Sequence, residues 1–182
     1  LNIAYRHYER ALKINPRFAW AYNDYGAALS LEAEWMVSHN EAPHEILRRQ
    51  MEMTRRAIEI DPDYLFAWIN LSVANINLAR WQMEHGVSPE TAAADGLKSI
   101  QMALNINKTL APLYGNIGFL YLTTAKHGMD KLSQDKTASQ LAVDQYLTGI
   151  KLGVSDADAY RSLASAYHAL AMHEVLGNQD PS

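Results

Sequence analysis

The segment Ala57-Ile-Glu-Ile-Asp-Pro62 has three related copies in the chain, and this repetition decides the fold. The related segments begin at Ala11, Ala103 and Gly149, so that successive copies are 46 residues apart. The same step aligns the whole sequence without a gap, and it generates an invariant alanine column: Ala33, Ala79, Ala125 and Ala171. A period of this length indicates a repeat array in which each unit is one supersecondary element.

Each repeat is predicted to contain two helices, over residues 17–38 and 43–60 in the first copy. Apolar or small residues recur every three or four positions, as one face of a helix requires: Tyr22, Tyr25, Gly26, Leu29, Ala33 and Met36. The pair Asp61-Pro62 marks the end of a second helix, because the residue before proline disfavours the helical conformation. Pro89, after Ser88, marks the start of the next second helix.

These patterns predict an all-α fold, a right-handed α-solenoid of stacked antiparallel helical hairpins with one concave surface. We expect a single array across the chain, with a truncated unit at each end. Its segments are 1–16 (second helix), 17–62, 63–108 and 109–154 (whole repeats), and 155–182 (first helix). HEAT and armadillo arrays, with periods of about 40–47 residues, are the alternative fold.

Composition narrows the function of the 182-residue chain. Its net charge of −4 argues against nucleic-acid binding, which usually requires a basic surface. It has no cysteine, which excludes a disulfide framework and a thiolate metal site and suits a cytoplasmic location. No catalytic motif occurs, and no histidine pair has the spacing of a helical zinc site. We therefore expect no enzyme activity, no metal, no cofactor and no membrane insertion.

The columns resemble the tetratricopeptide repeat, whose first helix carries W-x-x-L-G-x-x-Y and whose second helix carries a spaced alanine and aromatic residue. The third copy matches the first helix with Tyr114, Ile117, Gly118 and Tyr121. The second helix is matched by Ala4, Tyr8, Ala11 and Pro16. The resemblance covers the whole chain and implies a protein-protein interaction scaffold without catalytic activity.

The period departs from the usual tetratricopeptide length of about 34 residues. The 12 extra residues lie between the two helical motifs, so each hairpin is longer at one end. Together with the turn from Glu84 to Pro89, this length resembles the tetratricopeptide tails of bacterial serine/threonine protein kinases. A regulatory or targeting arm of such an enzyme is therefore the alternative function.

In this family the binding side chains lie on the concave face, beside the core columns of the first helices. The resemblance places these partner-binding residues here at Trp20, Asn23, Ala27, Leu31, Phe66, Ile69, Val73, Asn77, Gly115, Phe119, Thr123 and Arg161, with Pro112, Asp158, Ser165 and Ala169 at the remaining equivalent positions. Most are apolar or amide residues, so we expect a partner helix or an apolar peptide rather than a C-terminal carboxylate. Alternatively, a neighbouring segment of the parent chain fills this groove.

Two further features are interpreted as structural. Trp35 and Trp81 are expected to pack in the core between hairpins rather than to stack on a ligand. The histidines recur in columns, His39 with His85 and His127 with His173, which indicates positions inherited with the repeat.

The ends of the sequence fall inside the repeat. Leu1 aligns with the second-helix residue Leu47, and Pro181 aligns with Pro43 and Pro89. We therefore expect a segment of a larger protein. The first helix of the final, truncated unit would then expose an apolar stripe. We expect that another copy of the chain covers this stripe or that the helix is poorly ordered.

Overall fold

A computed structural model describes residues 2–131 and 135–177. The described part consists of eight α-helices and contains no strand, which confirms the all-α hairpin array. The helices are α1 (Asn2–Ile14), α2 (Ala19–Ser38), α3 (His44–Ile60), α4 (Leu65–Glu84), α5 (Glu90–Ile106), α6 (Ala111–Asp130), α7 (Thr137–Lys151) and α8 (Ala157–Gly177). Successive first helices α2, α4, α6 and α8 thus begin 46 residues apart. Leu1 and Pro181 lie outside the described residues.

A side chain closes the turn after each of the second helices α1, α3 and α5. The carboxyl oxygen of Asp61 accepts a hydrogen bond from the backbone N–H of Asp63 at 3.2 Å. Asn15 and Asn107 close the equivalent turns in the same way. This Asx turn mimics a backbone turn and spans the position of the proline column, from Asp61 to Asp63 in the second repeat. The first helix therefore begins at Ala19, and the predicted start at residue 17 is wrong by two residues.

The turns that follow α2 and α4 each depend on a residue whose backbone has the left-handed conformation. Asn40 and Gly86 occupy equivalent positions with φ of 57° and 69°. The following N–H groups, of Glu41 and Val87, each bond at 2.8 Å to a carbonyl five residues earlier. This is the Schellman ending, which glycine and asparagine favour because they tolerate positive φ. It brings the buried Pro43 and Pro89 to the start of the second helices, as the sequence predicted.

Packing between helices gives the array its direction of curvature. The first helices α2, α4 and α6 pack on the second helices of their own repeats, α3, α5 and α7, and each second helix packs on the next first helix. Neighbouring first helices also pack directly: α2 on α4, α4 on α6, and α6 on α8. Within the described residues, neighbouring second helices make no equivalent contact. The first helices therefore form the tighter, inner layer of the curve. We call the side of this layer that is turned away from the second helices the inner face.

Small residues in two columns allow the close approach of helices within a hairpin. Ala33 and Ala79 are 0% exposed. A side chain added at Gly118 would place its Cβ 3.0 Å from three ring carbons of Tyr146 on α7. One added at Gly26 would meet the methyl group of Thr54 at 2.7 Å. Burial of these columns contributes hydrophobic free energy to the packing of the two helices of each hairpin.

The two tryptophans at the far end of the hairpins differ from each other. Trp81 is partly buried, with its ring stacked on His85 at 4.1 Å and His44 set edge-on at 4.3 Å. Trp35 is 53% exposed, and the prediction that it packs in the core is wrong. Its ring stacks on His39. Among the described residues, no second-helix histidine meets Trp35 as His44 meets Trp81.

Two of the histidine columns have structural roles. His39 and His85 each place Nδ1 2.8 Å from the carbonyl oxygen of the tryptophan four residues earlier. The same carbonyl groups accept the backbone N–H groups of His39 and His85 at 3.1 Å, so each ring adds a second contact at the helix end. His173 is buried and places Nδ1 2.9 Å from the hydroxyl of Ser139 on α7. Recurrence of these histidines with the repeat is thus explained by helix ends and helix packing.

Candidate interaction surface

The inner face carries apolar side chains that no other part of the described chain covers. Trp20 and Phe66 occupy equivalent positions on α2 and α4 and are 63% and 60% exposed. Leu31, three turns along α2 from Trp20, is also largely exposed. Large exposed aromatic side chains in one region mark sites of interaction with another molecule. Exposure here follows from their place beside the core columns, on the side turned away from the second helices.

Trp20 and Phe66 are joined by a third aromatic ring. Tyr64, which directly precedes α4, stacks on Trp20 with ring centroids 6.1 Å apart. It also meets Phe66 edge-on at 6.3 Å. Burial raises the pKa of Tyr64, and the negative charges of Asp24 and Asp61 contribute to the increase. We call Trp20, Tyr64 and Phe66 the aromatic cluster. It presents a wide apolar platform whose hydroxyl group remains protonated at neutral pH.

A pocket of about 330 Å³ opens on the inner face between α6 and α8. It exists because Gly115 stands where the two preceding repeats carry Asn23 and Ile69. A Cβ atom at Gly115 would meet nothing within 4 Å. Phe119 and Pro112 of α6 also line this Gly115 pocket, together with Tyr146 of α7.

Charged groups of both signs lie around the Gly115 pocket. The guanidinium of Arg80, on α4, lies 5.2 Å from the ring centre of Phe119. Asp156 and Asp158 lie on the opposite side, at the start of α8. An apolar floor between a cation and two carboxylates can hold an apolar side chain and orient the polar groups next to it.

Sequence reasoning did not identify Arg80 as a site residue. A signal was present, because Arg80 follows Ile69 by eleven residues and Val73 by seven. Both intervals return to the same face of a helix. The resemblance to a family motif did not extend that far along the longer helix α4.

The predicted binding residues divide by exposure into three groups. Those exposed to solvent are Trp20, Leu31, Phe66, Pro112, Asp158 and Arg161. Those partly buried, and still on the inner face, are Ala27, Ile69, Val73, Gly115, Phe119 and Ser165. Those buried are Asn23, Asn77, Thr123 and Ala169.

The predicted amide and hydroxyl residues Asn23, Asn77 and Thr123 are buried, so their side chains are less accessible than the sequence pattern suggests. Asn23 accepts a hydrogen bond from the side chain of Asn70 at 2.9 Å and so links α2 to α4. Thr123 donates to the carbonyl of Phe119 at 2.9 Å within α6. Direct packing of neighbouring first helices covers these positions, together with Asn77. In the structure they support the inner face rather than line it.

Basic charge on the inner face is sparse. Arg161 forms an exposed ion pair with Asp158 at 3.1 Å, and Arg80 lies over Phe119. Exposed pairs of this kind contribute little free energy. The face therefore lacks a cluster of basic side chains that would bind a carboxylate. Its accessible chemistry is mainly aromatic and aliphatic.

Neither a metal site nor a membrane-spanning helix is found among the described residues. No group of three or more histidine, aspartate and glutamate side chains there has the arrangement of a metal site. None of the helices in that part of the chain is long and apolar enough to span a membrane.

One family of known proteins is similar to the N-terminal part of this chain. Residues 7–47 match a family model described as tetratricopeptide repeat. The match covers most of α1, all of α2 and the start of α3. It supports a tetratricopeptide repeat protein, in agreement with the helical hairpins. Repeats of this kind generally mediate protein-protein interactions and are not catalytic. No curated protein matches the chain.

Proposed function

We propose that this chain is a protein-protein interaction scaffold that binds a partner helix or an apolar peptide along its inner face. The observation that carries the proposal is the exposure of Trp20, Phe66 and Leu31 on the packed first-helix layer. Burial of such side chains releases about 25 cal/mol for each Å² of apolar surface. Large aromatic residues are also the commonest hot spots of protein interfaces.

The aromatic cluster and the Gly115 pocket have complementary roles in the proposal. They lie on the same layer of first helices, the cluster on α2 and α4 and the pocket on α6 and α8. A helix or extended segment that crosses this layer can place one apolar side chain against Trp20 and Phe66. A second side chain then enters the Gly115 pocket, with Arg80 beside it. Two anchors at a fixed separation would select for the spacing of apolar residues in the partner.

Partner capture with matched variants tests this function. The bait is the full chain, presented to an extract of cells that naturally produce it. Phe66→Glu places a charge in the aromatic cluster, on a side chain that is 60% exposed, so the fold should be retained. Met102→Glu is the control, because it also replaces an apolar side chain by glutamate. Met102 is a 36% exposed residue of α5, outside the first-helix layer. Circular dichroism verifies that both variants remain helical.

We expect the proteins captured by the wild type to be retained by Met102→Glu and lost with Phe66→Glu. Loss of an aromatic hot spot costs about 2 kcal/mol or more, which corresponds to about 30-fold weaker binding. Retention of every partner by Phe66→Glu would exclude the inner face as the binding surface. Loss with both variants would point to another surface or to general damage, and would equally contradict the proposal.

We propose as a second candidate that the array is a regulatory or targeting arm of a bacterial enzyme such as a serine/threonine kinase, acting in the cytoplasm. The long hairpins and the Schellman turn that leads from Gly86 to Pro89 support it, since they produce the resemblance to kinase tails. Reading the gene on both sides of the 182-residue segment tests this candidate. A kinase domain in the same reading frame is expected, and an unrelated reading frame there would contradict it.

A further inference from the structure

A second pocket, of about 310 Å³, opens between the second helices α3 and α5, on the side of the array away from the inner face. Helix α4 forms its floor, because α3 and α5 make no contact with each other. We call it the Trp68 pocket. It is lined by Arg55, Ile58 and Glu59 of α3, by Trp68, Leu71 and Asn75 of α4, and by Asp95, Lys98 and Ser99 of α5. These residues lie in the middle of the array, so helices of this chain form both walls of the pocket.

The equivalent space in the preceding repeat is filled by side chains of the chain itself. Tyr25 stands there in the position of Leu71 and is 3% exposed. Met53 stands in the position of Ser99 and packs against the core that contains Tyr25. Leu71 and Ser99 are both shorter than these counterparts. The Trp68 pocket is thus the space that the ring of Tyr25 and the side chain of Met53 occupy in the first repeat.

The hydroxyl group of Tyr25 lies between two opposite charges. It donates a hydrogen bond to the carboxylate of Glu9 at 3.2 Å and accepts one from the guanidinium of Arg49. The same guanidinium lies 5.6 Å from the centre of the ring. In the first repeat, therefore, apolar contacts hold the ring inside the groove, and one anion and one cation at the edge of the groove hold the hydroxyl.

The Trp68 pocket keeps these two charges but lacks the hydroxyl. Arg55 occupies the position of Glu9 and Asp95 that of Arg49, so the signs are exchanged across the groove. Both side chains are exposed, and no ion pair joins them in the described part of the chain. Leu71 cannot supply the bridging hydroxyl that Tyr25 supplies.

The polar groups deeper in the pocket already have partners. The side-chain amide of Asn75 and the hydroxyl of Ser99 each donate to a carbonyl oxygen of their own helix at 2.9 Å. The indole N–H of Trp68 donates to the carbonyl oxygen of Pro62 at 2.8 Å, so the ring lines the pocket with carbon atoms. A ligand would therefore find apolar surface inside the pocket and charged groups at its edge, which is the usual composition of a small-molecule site.

We propose that the Trp68 pocket binds a small phenol, with the ring against Trp68 and the hydroxyl between Arg55 and Asp95. The hydroxyl donates to the carboxylate and accepts from the guanidinium, as Tyr25 does in the first repeat. A free phenol enters with its hydroxyl outwards. The tyrosine side chain of a partner would enter hydroxyl first and would not reach the two charges. Space is sufficient, since an apolar cavity of about 150 Å³ holds benzene. The site lies apart from the inner face and is independent of the partner proposed for that face.

An NMR titration of the full chain tests the proposal, with the indole N–H signals of the tryptophans as reporters. The probes are phenol and anisole, which has the same ring but an oxygen that only accepts hydrogen bonds. We expect phenol to shift the Trp68 signal saturably at millimolar concentrations. Anisole should bind about fivefold more weakly or worse, because it loses the hydrogen bond to Asp95. The exposed rings of Trp20 and Trp35 lie outside the pocket, and their signals should not saturate.

Two variants and a control locate the binding. Leu71→Tyr restores the residue of the first repeat and should fill the pocket, so that phenol no longer shifts the Trp68 signal. Asp95→Ala removes an exposed carboxylate, so it should fold even if Leu71→Tyr does not, and its affinity for phenol should fall to that for anisole. Asp144→Ala, at an exposed residue of α7 outside the pocket, should bind phenol like the wild type. Circular dichroism verifies that the variants remain helical.

Equal affinity of the wild type for phenol and anisole would overturn the proposal, because the two charges would then not recognise the hydroxyl. Saturable shifts of Trp20 and Trp35 as large as that of Trp68 would indicate adsorption on any exposed ring and would also overturn it. So would the absence of a Trp68 shift, or unchanged phenol binding by Asp95→Ala.

Discussion

Alanine at Gly118 should destabilise the array, whereas alanine at Gly115, three residues earlier in α6, should stabilise it. Both glycines lie inside the same helix, so each replacement gains about 0.5–1 kcal/mol of helix propensity. At Gly115 nothing lies within 4 Å of the new Cβ, so the whole gain is retained. At Gly118 three ring carbons of the buried Tyr146 lie 3.0 Å from it. Overpacking of this kind costs about 1–3 kcal/mol, which exceeds the gain.

The two variants should therefore differ by about 1–3 kcal/mol in the free energy of unfolding, with opposite signs relative to the wild type. Urea denaturation followed by circular dichroism measures this difference. In a double variant, Tyr146→Ile should recover much of the loss caused by Gly118→Ala, because the second repeat carries a Cβ at Ser72 together with Ile100. If Gly118→Ala is as stable as Gly115→Ala, the close contact between α6 and α7 is not the determinant that we infer.

Two other predictions concern the burial of aromatic residues. Trp81→Ala should lower the free energy of unfolding by about 2 kcal/mol, since it removes the contacts with His44 and His85. Trp35→Ala, at the equivalent exposed position, should lower it by less than about 1 kcal/mol. Equal losses in urea denaturation would contradict the difference in packing. Burial raises the pKa of Tyr146 to about 12. The unfolded chain then loses this proton near pH 10 while the folded chain keeps it, so stability should fall between pH 10 and 12. Tyr146→Phe should reduce that fall by about 2 kcal/mol at pH 11.5, measured against its own stability at pH 9, and an unchanged slope would exclude Tyr146 as its source.

Positions that depend on one repeat were predictable from the sequence. The end of a second helix was predicted from the pair Asp61-Pro62, and the structure adds that the side chain of Asp61, like that of Asn15, closes an Asx turn. Ala33 was predicted to lie on the apolar face of the first helix, and it is fully buried. Local spacing is sufficient in these cases, because each side chain interacts within its own hairpin.

Positions that depend on two repeats were harder to predict. Asn23, Asn77 and Thr123 were placed on the accessible face, yet they are buried where neighbouring first helices pack together. Trp35 and Trp81 are equivalent in sequence, but only Trp81 has His44 against its ring. The Gly115 pocket also depends on a side chain from the preceding repeat, Arg80. A periodic pattern on one helix does not specify how closely the next helix approaches.

Site-specific photocrosslinking of the full chain tests the central claim, that a protein partner occupies the inner face. A photoreactive phenylalanine analogue placed at Phe66 should form covalent adducts with a partner in extracts of the native cells. The same analogue at Met102 on α5 should form none of those adducts. Adducts at Phe66 that an excess of unmodified chain competes away would support the account. Adducts formed only at Met102 would contradict it, because the partner would then contact the second helices.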